Sequence, residues 1–529
     1  MATVGDDALP FRLGELLKER KAGVERLAFL ATVIVAGATF WLVPRLPMTD
    51  LPQHAGQVAA WHDLLLGTSK WESFLYINYF TPYLIGYSLG LVLSFVLPVS
   101  AALKVVLTLA YFGFVAACVA LRARMGGDRR LDWLFIPGFF GFAYSWGFYT
   151  FLVAAPFGLL FILLAHRYAD RPTPAAGMVL LLADLALFFS HGLVFLFANV
   201  IGGVFLLLKQ RSLAQLPRAA LPYVAVGMWC VVYALVRLRV ETSAVGEPFA
   251  ISWGWDSSRV NFLIFSIDWS IGGGFESNWT FGPLLLLMLA APLVLGARLN
   301  RQDPTVIVPL TVTVLVWTFV PDAVLNTWFL YQRFALFLLP FYALIFRAPQ
   351  SARGGVLQQL WLPVLCWAFL VLHSDRLLAF AKESAAFDEV LAVTQPGQRA
   401  LSLIFKPTSD ALEDVEAYWH FPVWYQAEKD GFVDFNAAGS LPPVVRFRPD
   451  RVPTGFAGPT WEWRHPKHFD WVKYQAGIYR YFFVRHTAPL PAGYFPTGRC
   501  EPVLLKSVDS WSVFENVNCY SAPAPDVTR

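Results

Sequence analysis

From Leu27 to Pro44 no residue carries a charge. A helix needs about 20 apolar residues to cross roughly 30 Å of hydrocarbon, and only a helix or a closed barrel satisfies its own backbone there. Comparable apolar runs recur as far as Leu372, and that recurrence constrains the fold more than any motif. Composition excludes a purely water-soluble chain: 57% of residues are hydrophobic, 15% are charged and the mean hydropathy is +0.51, whereas soluble domains carry about 25% charged residues. A net charge of +4 is too small to build a phosphate-binding surface, so no nucleic-acid partner is expected. Five cysteines without a Cys-x-x-Cys pair exclude a disulfide scaffold and a thiolate zinc module.

Charge asymmetry sets the orientation. Lys18, Arg20, Lys21 and Arg26 precede or open the first span, Arg26 to Leu46, which reads as an uncleaved anchor with a cytoplasmic N-terminus. Thr81 to Leu97 is short and contains Pro82, Gly86 and Gly90, so it reads as a segment that dips without crossing. Ala101 to Leu121 then runs inward. Arg122, Arg124, Arg129 and Arg130 land in the cytoplasm with Arg167, Arg171, Lys209, Arg211, Arg298, Arg301, Arg347 and Arg353. Further spans are expected over 132–143, 148–166, 175–190, 192–208, 221–236, 281–295, 306–320, 334–346 and 356–372, making about eleven crossings.

The expected fold is therefore an α-helical polytopic membrane protein over 1–373, with a first outer loop at 47–80, followed by an extracytoplasmic mixed α/β domain over 374–529. In that domain charges and prolines return. Strand-like runs lie near Ala400, Tyr481, Val503 and Trp511, and a helix is expected from Ala411 to Lys429. Cys500 and Cys519, both in this outer domain, are expected to form a disulfide.

The segment from Met48 to Asp63 reads as an amphipathic helix lying at the outer surface. Asp50 opens it, and His54, four residues on, projects from nearly the same side, which puts a carboxylate and an imidazole in one pocket. Asp50-x-x-Gln53 with Pro52 is equally a capping-box pattern, in which Asp50 only closes a helix end. Asp184 and His191 lie seven residues apart and face the same way. An intramembrane carboxylate costs on the order of 2.5 to 3.5 kcal/mol, so Asp184 is expected to bond a neighbouring helix, and His191 to line a pocket nearer the outer end. A metal held by Asp50, His54 and His191 is chemically allowed, but no spacing links the three, so no metal ligand is assigned. Trp253, Trp255, Trp269 and Trp279, with Asp256, Asp268 and Glu276, suit an interfacial belt. Trp461, Trp463, Trp471, His465, His468 and the run Trp419-His420-Phe421 read as core of the outer domain.

With an inside N-terminus, a first outer loop opening with Asp50, the dipping Thr81-Pro82-Tyr83, many spans and an outer C-terminal domain, the chain resembles the GT-C superfamily of polytopic membrane glycosyltransferases. That resemblance implies an inner- or plasma-membrane enzyme of the cell envelope. It would transfer a sugar from a polyprenyl-phosphate-linked donor, among membrane lipids, to a glycan, lipid or protein acceptor on the outer face. It casts Asp50 as the catalytic acid that takes or orients the acceptor hydroxyl, assisted by His54, with a divalent cation (Mg or Mn) as an optional cofactor. The donor phosphate must be met where helices end at the outer interface. Arg333, in Tyr331-Gln332-Arg333-Phe334, is the first candidate, with His191, Tyr331 and Lys70 as further substrate contacts and Arg237, Arg239 and Arg259 after them. Two other readings stand beside it. Because Asp50 is alone until Asp63 and Glu72, one is a non-catalytic component of an envelope glycan assembly system. The other is a transporter or flippase of a lipid-linked glycan, with Asp184 near the midplane.

Overall fold

The computed structural model describes residues 8–210, 212, 214–241, 251–253, 281–324, 327–349, 355–413, 415–434, 436–439, 443–451, 465–472 and 476–520. The expectations placed on Trp255, Asp256, Arg259, Asp268, Trp269, Glu276, Trp279, Arg211, Arg353, Trp461 and Trp463 fall outside them.

Among the described residues, six helices are long and apolar enough to cross a membrane: Gly23–Trp41, Val99–Arg124, Tyr149–Asp170, Gly192–Lys209, Leu216–Val236 and Val356–Ala392. The chain is thus built as an integral membrane protein, mostly helical, with a C-terminal sheet domain. The elements in order are α1 (Ala8–Ala38), α2 (Leu51–Leu66), α3 (Leu84–Ser94), α4 (Val99–Arg124), α5 (Phe142–Trp146), α6 (Tyr149–Asp170), α7 (Pro174–Ser190), α8 (Gly192–Lys209), α9 (Leu216–Glu241) and, after several shorter helical pieces, α10 (Val356–Ala392). At 11 residues α3 is about 16 Å long, too short to span, as expected of a dipping segment.

The helix expected over 132–143 does not form. Pro137 and Gly138 interrupt it, and the chain runs as 3-10 turns, Arg129–Phe135 and Pro137–Phe139, before α5. Irregular backbone at membrane depth survives only inside protein, and Leu131, Leu134, Phe135, Ile136 and Phe139 are fully buried. The expected spans 306–320 and 334–346 are likewise composite, each a 3-10 turn (Pro304–Ile307, Gln332–Phe337) leading into a short α-helix (Val308–Phe319, Leu338–Leu344). Small residues let the long helices close on one another: a Cβ on Gly158 of α6 would lie 2.5 Å from Val194 of α8. Asp184 of α7 accepts from Asn199 Nδ2 of α8 at 2.6 Å, the interhelical bond expected for it.

Polar links gather the basic loops at one end of the bundle. Arg122 clamps Asp132 at 2.7 and 2.6 Å. Asn300 Nδ2 donates to the Met125 carbonyl at 3.1 Å, Lys209 pairs with Asp170 at 2.7 Å, and Arg298–Leu299 pairs antiparallel with Phe346–Arg347. The helices return Asp50, Trp146, His191 and Arg333 to the opposite end.

There α10 continues past His373 to Ala392 and delivers the chain to the C-terminal domain. Strand β1 (Leu75–Ile77) belongs to the first loop and pairs antiparallel with β4 (Val445–Phe447). The main sheet is formed by β2 (Arg399–Ile404), β3 (Phe432–Val433), β5 (Tyr481–Arg485), β6 (Val503–Val508) and β7 (Trp511–Glu515), in the order β6-β7-β5-β2-β3. β2 is parallel to β3 and β5, and the other pairings are antiparallel. Cys500 and Cys519 form the expected disulfide, with a Cα–Cα distance of 5.1 Å. The helix expected from Ala411 to Lys429 is broken. Glu413 takes the left-handed conformation, Pro422 sits in a 3-10 turn, and only Trp424–Lys429 is α-helical.

The structure corrects the reading of α2 as a surface helix. Ten of its residues, Leu51 to Trp61 except His54, are buried, because the C-terminal domain covers the face that membrane helices leave free. The contact is close. A Cβ on Gly56 would lie 2.9 Å from Val423, and the Gln57 amide both donates to the Val445 carbonyl (3.1 Å) and accepts from its N–H (2.8 Å). Arg45, at the end of the first span, bridges Glu428 (2.8 and 2.7 Å) and Asp388, tying that span to the C-terminal domain and α10.

Candidate active site beneath the C-terminal domain

Asp50 precedes α2 and Pro52 occupies its first turn, yet the Asp50 side chain makes no capping bond. The capping-box reading therefore fails and the carboxylate is turned elsewhere. Its backbone is fixed by the turn that closes α5: the Asp50 N–H donates to the Trp146 carbonyl at 2.8 Å and the Thr49 N–H to the Ser145 carbonyl at 3.2 Å. Gly147 makes this approach possible. Its φ is +89°, and a Cβ there would lie 2.8 Å from the Asp50 nitrogen.

So placed, the carboxylate receives the Trp146 indole N–H and lies 3.5 Å from His420 Nε2. Its side chain keeps 27% of its surface accessible. Desolvation by the surrounding protein raises its pKa to about 7, and the nearby Arg333 charge and the Trp146 bond offset only part of the rise.

His54, one turn along α2, has both ring nitrogens engaged. Nδ1 lies 2.7 Å from the Tyr87 hydroxyl, and the ring bonds the Gly147 carbonyl. Burial, then the Arg333 charge, lowers its pKa to about 3, so it is neutral. In that state it joins the Gly147 turn to α3.

Arg333 is buried in the 3-10 turn Gln332–Phe337. Its Nε donates to the Phe329 carbonyl (3.1 Å) and its Nη2 to the Trp328 carbonyl (2.8 Å), while its guanidinium lies 3.7 Å from the Phe148 ring centroid. Phe329 adopts φ +58°, a strained conformation for a bulky residue, and thereby aims those carbonyls at the arginine. Among the described residues no carboxylate comes within ion-pair distance of Arg333, and its Nη1 makes no hydrogen bond. Asp50 is the carboxylate whose charge it feels.

His191, fully buried between α7 and α8, accepts from the Leu193 N–H through Nδ1 at 3.2 Å, so the ring proton sits on Nε2, which has no partner. The ring packs against Tyr83 (4.9 Å) and Phe151 (5.3 Å) and interacts electrostatically with Arg333 and His54. Asp50, His54, His191 and Arg333 thus form one electrostatically linked cluster with Tyr83 and Tyr87.

Of the other sequence candidates, Tyr331 is buried at the start of the Arg333 turn, while Lys70 is exposed and packs over Gly397, in the C-terminal domain. Arg237 and Arg239 lie at the end of α9. Sequence reasoning missed His420, Trp146 and Gly147. Two of them lie about a hundred residues from Asp50 and the third beyond 360, and no local spacing signals such encounters.

Among the described residues no three His, Cys, Asp or Glu side chains converge on one point. A separate cavity of about 530 Å³ lies at the far end of α2, lined by Arg45, His62, Asp63, Ser94, Glu428 and Asp430 among others. His62 is about 18 Å along the helix from Asp50, so this cavity is distinct from the cluster around Asp50.

No protein-family model matches the chain, and no curated protein does. Among solved structures it is similar to the single-particle cryo-EM structure of the arabinofuranosyltransferase AftD from mycobacteria, at 13% identity and a TM-score of 0.45, over 93% of this chain and 40% of that one. The chain therefore spans less than half the length of that protein.

Proposed function

We propose that the chain is a membrane glycosyltransferase that takes a sugar from a polyprenyl-phosphate-linked donor and transfers it to a hydroxyl-bearing glycan, lipid or protein acceptor on the outer face. One observation carries the reading: Arg333 and His191 present a buried positive charge and a buried N–H, neither matched by a protein anion at bonding distance, beside the desolvated carboxylate of Asp50. Buried donors of this kind are costly unless an anion meets them. A phosphate on a lipid fits, because these groups lie where helices end.

In the reaction the acceptor oxygen attacks the sugar carbon and the bond from that carbon to the phosphate oxygen breaks. The phosphate leaves with the bonding pair, stabilised by Arg333 and the His191 N–H. Asp50 receives the hydroxyl proton, a task suited to a pKa near the working pH. No step is routed through a metal. The disulfide suits an oxidising compartment, which supports placing this end of the bundle outside and the basic loops in the cytoplasm.

The test is binding of polyprenyl phosphate to the full chain in nanodiscs, read by native mass spectrometry against polyprenol. The wild type should retain the phosphate and not the alcohol, and Arg333→Ala should lose that preference. Equal retention of both lipids by the wild type would remove the basis for the reading.

A further inference from the structure

We propose that His420 of the outer domain is a positioning residue for the Asp50 carboxylate, oriented by Gln53, so that the site is complete only when the outer domain is seated on α2. The inference rests on the reading of Asp50 as the residue that receives the acceptor proton.

The geometry runs through one helix face. Gln53 stands three residues after Asp50, so both project from the same side of α2. The Gln53 amide nitrogen lies 2.9 Å from His420 Nδ1. An amide N–H donates, so Nδ1 accepts, and the proton of a neutral ring then sits on Nε2. That nitrogen lies 3.5 Å from Asp50 Oδ1. The distance is long for a bond and short for an accident, and a shift of a few tenths of an ångström closes it. The Trp146 N–H reaches the same carboxylate from the membrane part. The carboxylate is thus bonded from the membrane part by Trp146 and faced at 3.5 Å from the outer domain by His420.

The seating of the outer domain is what places His420. Its turn precedes the 3-10 helix Phe421–Val423, made rigid by Pro422, and Val423 packs on Gly56 with no room for a Cβ. Gln57 clamps Val445 and Arg45 clamps Glu428, holding the same surfaces together. Gln53, Gly56 and Gln57 thus carry the interface on the helix that Asp50 opens.

The groups that face the carboxylate are His54 from α2, Tyr87 from α3, Trp146 from α5, Arg333 from its 3-10 turn and His420 from the outer domain. Removing His420 takes away one stabiliser of the ionised form, so Asp50 should stay protonated to higher pH. An apolar carbodiimide modifies protonated carboxyls in desolvated sites, which lets mass spectrometry follow Asp50 labelling from pH 5 to pH 9 in the full chain. In His420→Ala the midpoint at which labelling falls off should rise by about one pH unit. His420→Gln, which keeps an N–H donor, should restore it. Gln53→Leu, which frees the ring to choose its tautomer, should move it the same way by less.

Polyprenyl phosphate binding is measured on the same samples. Intact phosphate preference with an unmoved labelling curve in His420→Ala and Gln53→Leu would overturn the role of His420 and leave the reading of the site standing. Lost phosphate preference in the wild type would instead strike the reading itself. Failure of His420→Gln to restore the midpoint would show that the ring acts only as packing, and would also overturn the proposal.

Discussion

Gly147 and Asp50 meet backbone to backbone: a Cβ on the glycine would stand 2.8 Å from the aspartate nitrogen, and the glycine holds φ +89°. The acid is thus aimed by a turn nearly a hundred residues away rather than by its own helix. Gly147→Ala should cost about 1 to 3 kcal/mol through the combined clash and the unfavourable conformation. It should also release Asp50 from Trp146. Thermal unfolding in detergent measures the first effect, and faster carbodiimide labelling of Asp50 the second.

Asp50 destabilises the fold it serves. Its folded pKa of about 7 lies above the ordinary value of 3.8, so the folded state holds a proton that the unfolded state has released. Stability from this group falls as pH rises across that window and levels off once both states are ionised. Asp50→Asn should therefore gain melting temperature over the wild type, with a difference that grows from pH 5 to pH 7 and is flat above about pH 8. A difference that shrank with rising pH would contradict the burial.

Arg333→Lys should behave almost as poorly as Arg333→Ala in holding polyprenyl phosphate. The guanidinium spends two nitrogens on the Phe329 and Trp328 carbonyls and presents the third, whereas an ammonium cannot keep both carbonyls and still face the ligand. A loss of about tenfold or more in affinity is expected for both. Titration in nanodiscs checks it.

Arg45 pairs with Glu428 and Asp388 while its own side chain is 9% exposed, so Arg45→Ala leaves two acids without their cation at the domain junction. Breaking a buried pair this way costs about 3 to 5 kcal/mol, and the partial exposure of the acids places this one at or below the lower end. Hydrogen exchange should quicken in β1, β4 and the helix Trp424–Lys429, and stay unchanged in α6 and α8.

Much of this was legible in the chain. The long apolar runs marked the membrane helices, the basic loops marked one end of the bundle, and the run from Asp50 to Asp63 marked the helix that follows the first span. The buried crossing at 129–146 was not legible as irregular, because burial by neighbouring helices makes 3-10 backbone tolerable and leaves no periodic trace. His420 sits amid aromatic residues that do form core, as Phe421 and Trp424 show. Only the fold over α2 distinguishes it from them. The apolar pattern of α2 pointed to a surface helix because the sequence carries no mark of the domain that covers it.

The most direct test of the central claim is release of polyprenyl phosphate from proteoliposomes supplied with a panel of polyprenyl-phosphate-linked monosaccharides and an envelope extract as acceptor. For at least one donor the wild type should free the lipid phosphate while Asp50→Asn, folded and still binding the carrier, frees about a hundredfold less or none. Equal release by the two proteins would contradict the assignment of Asp50.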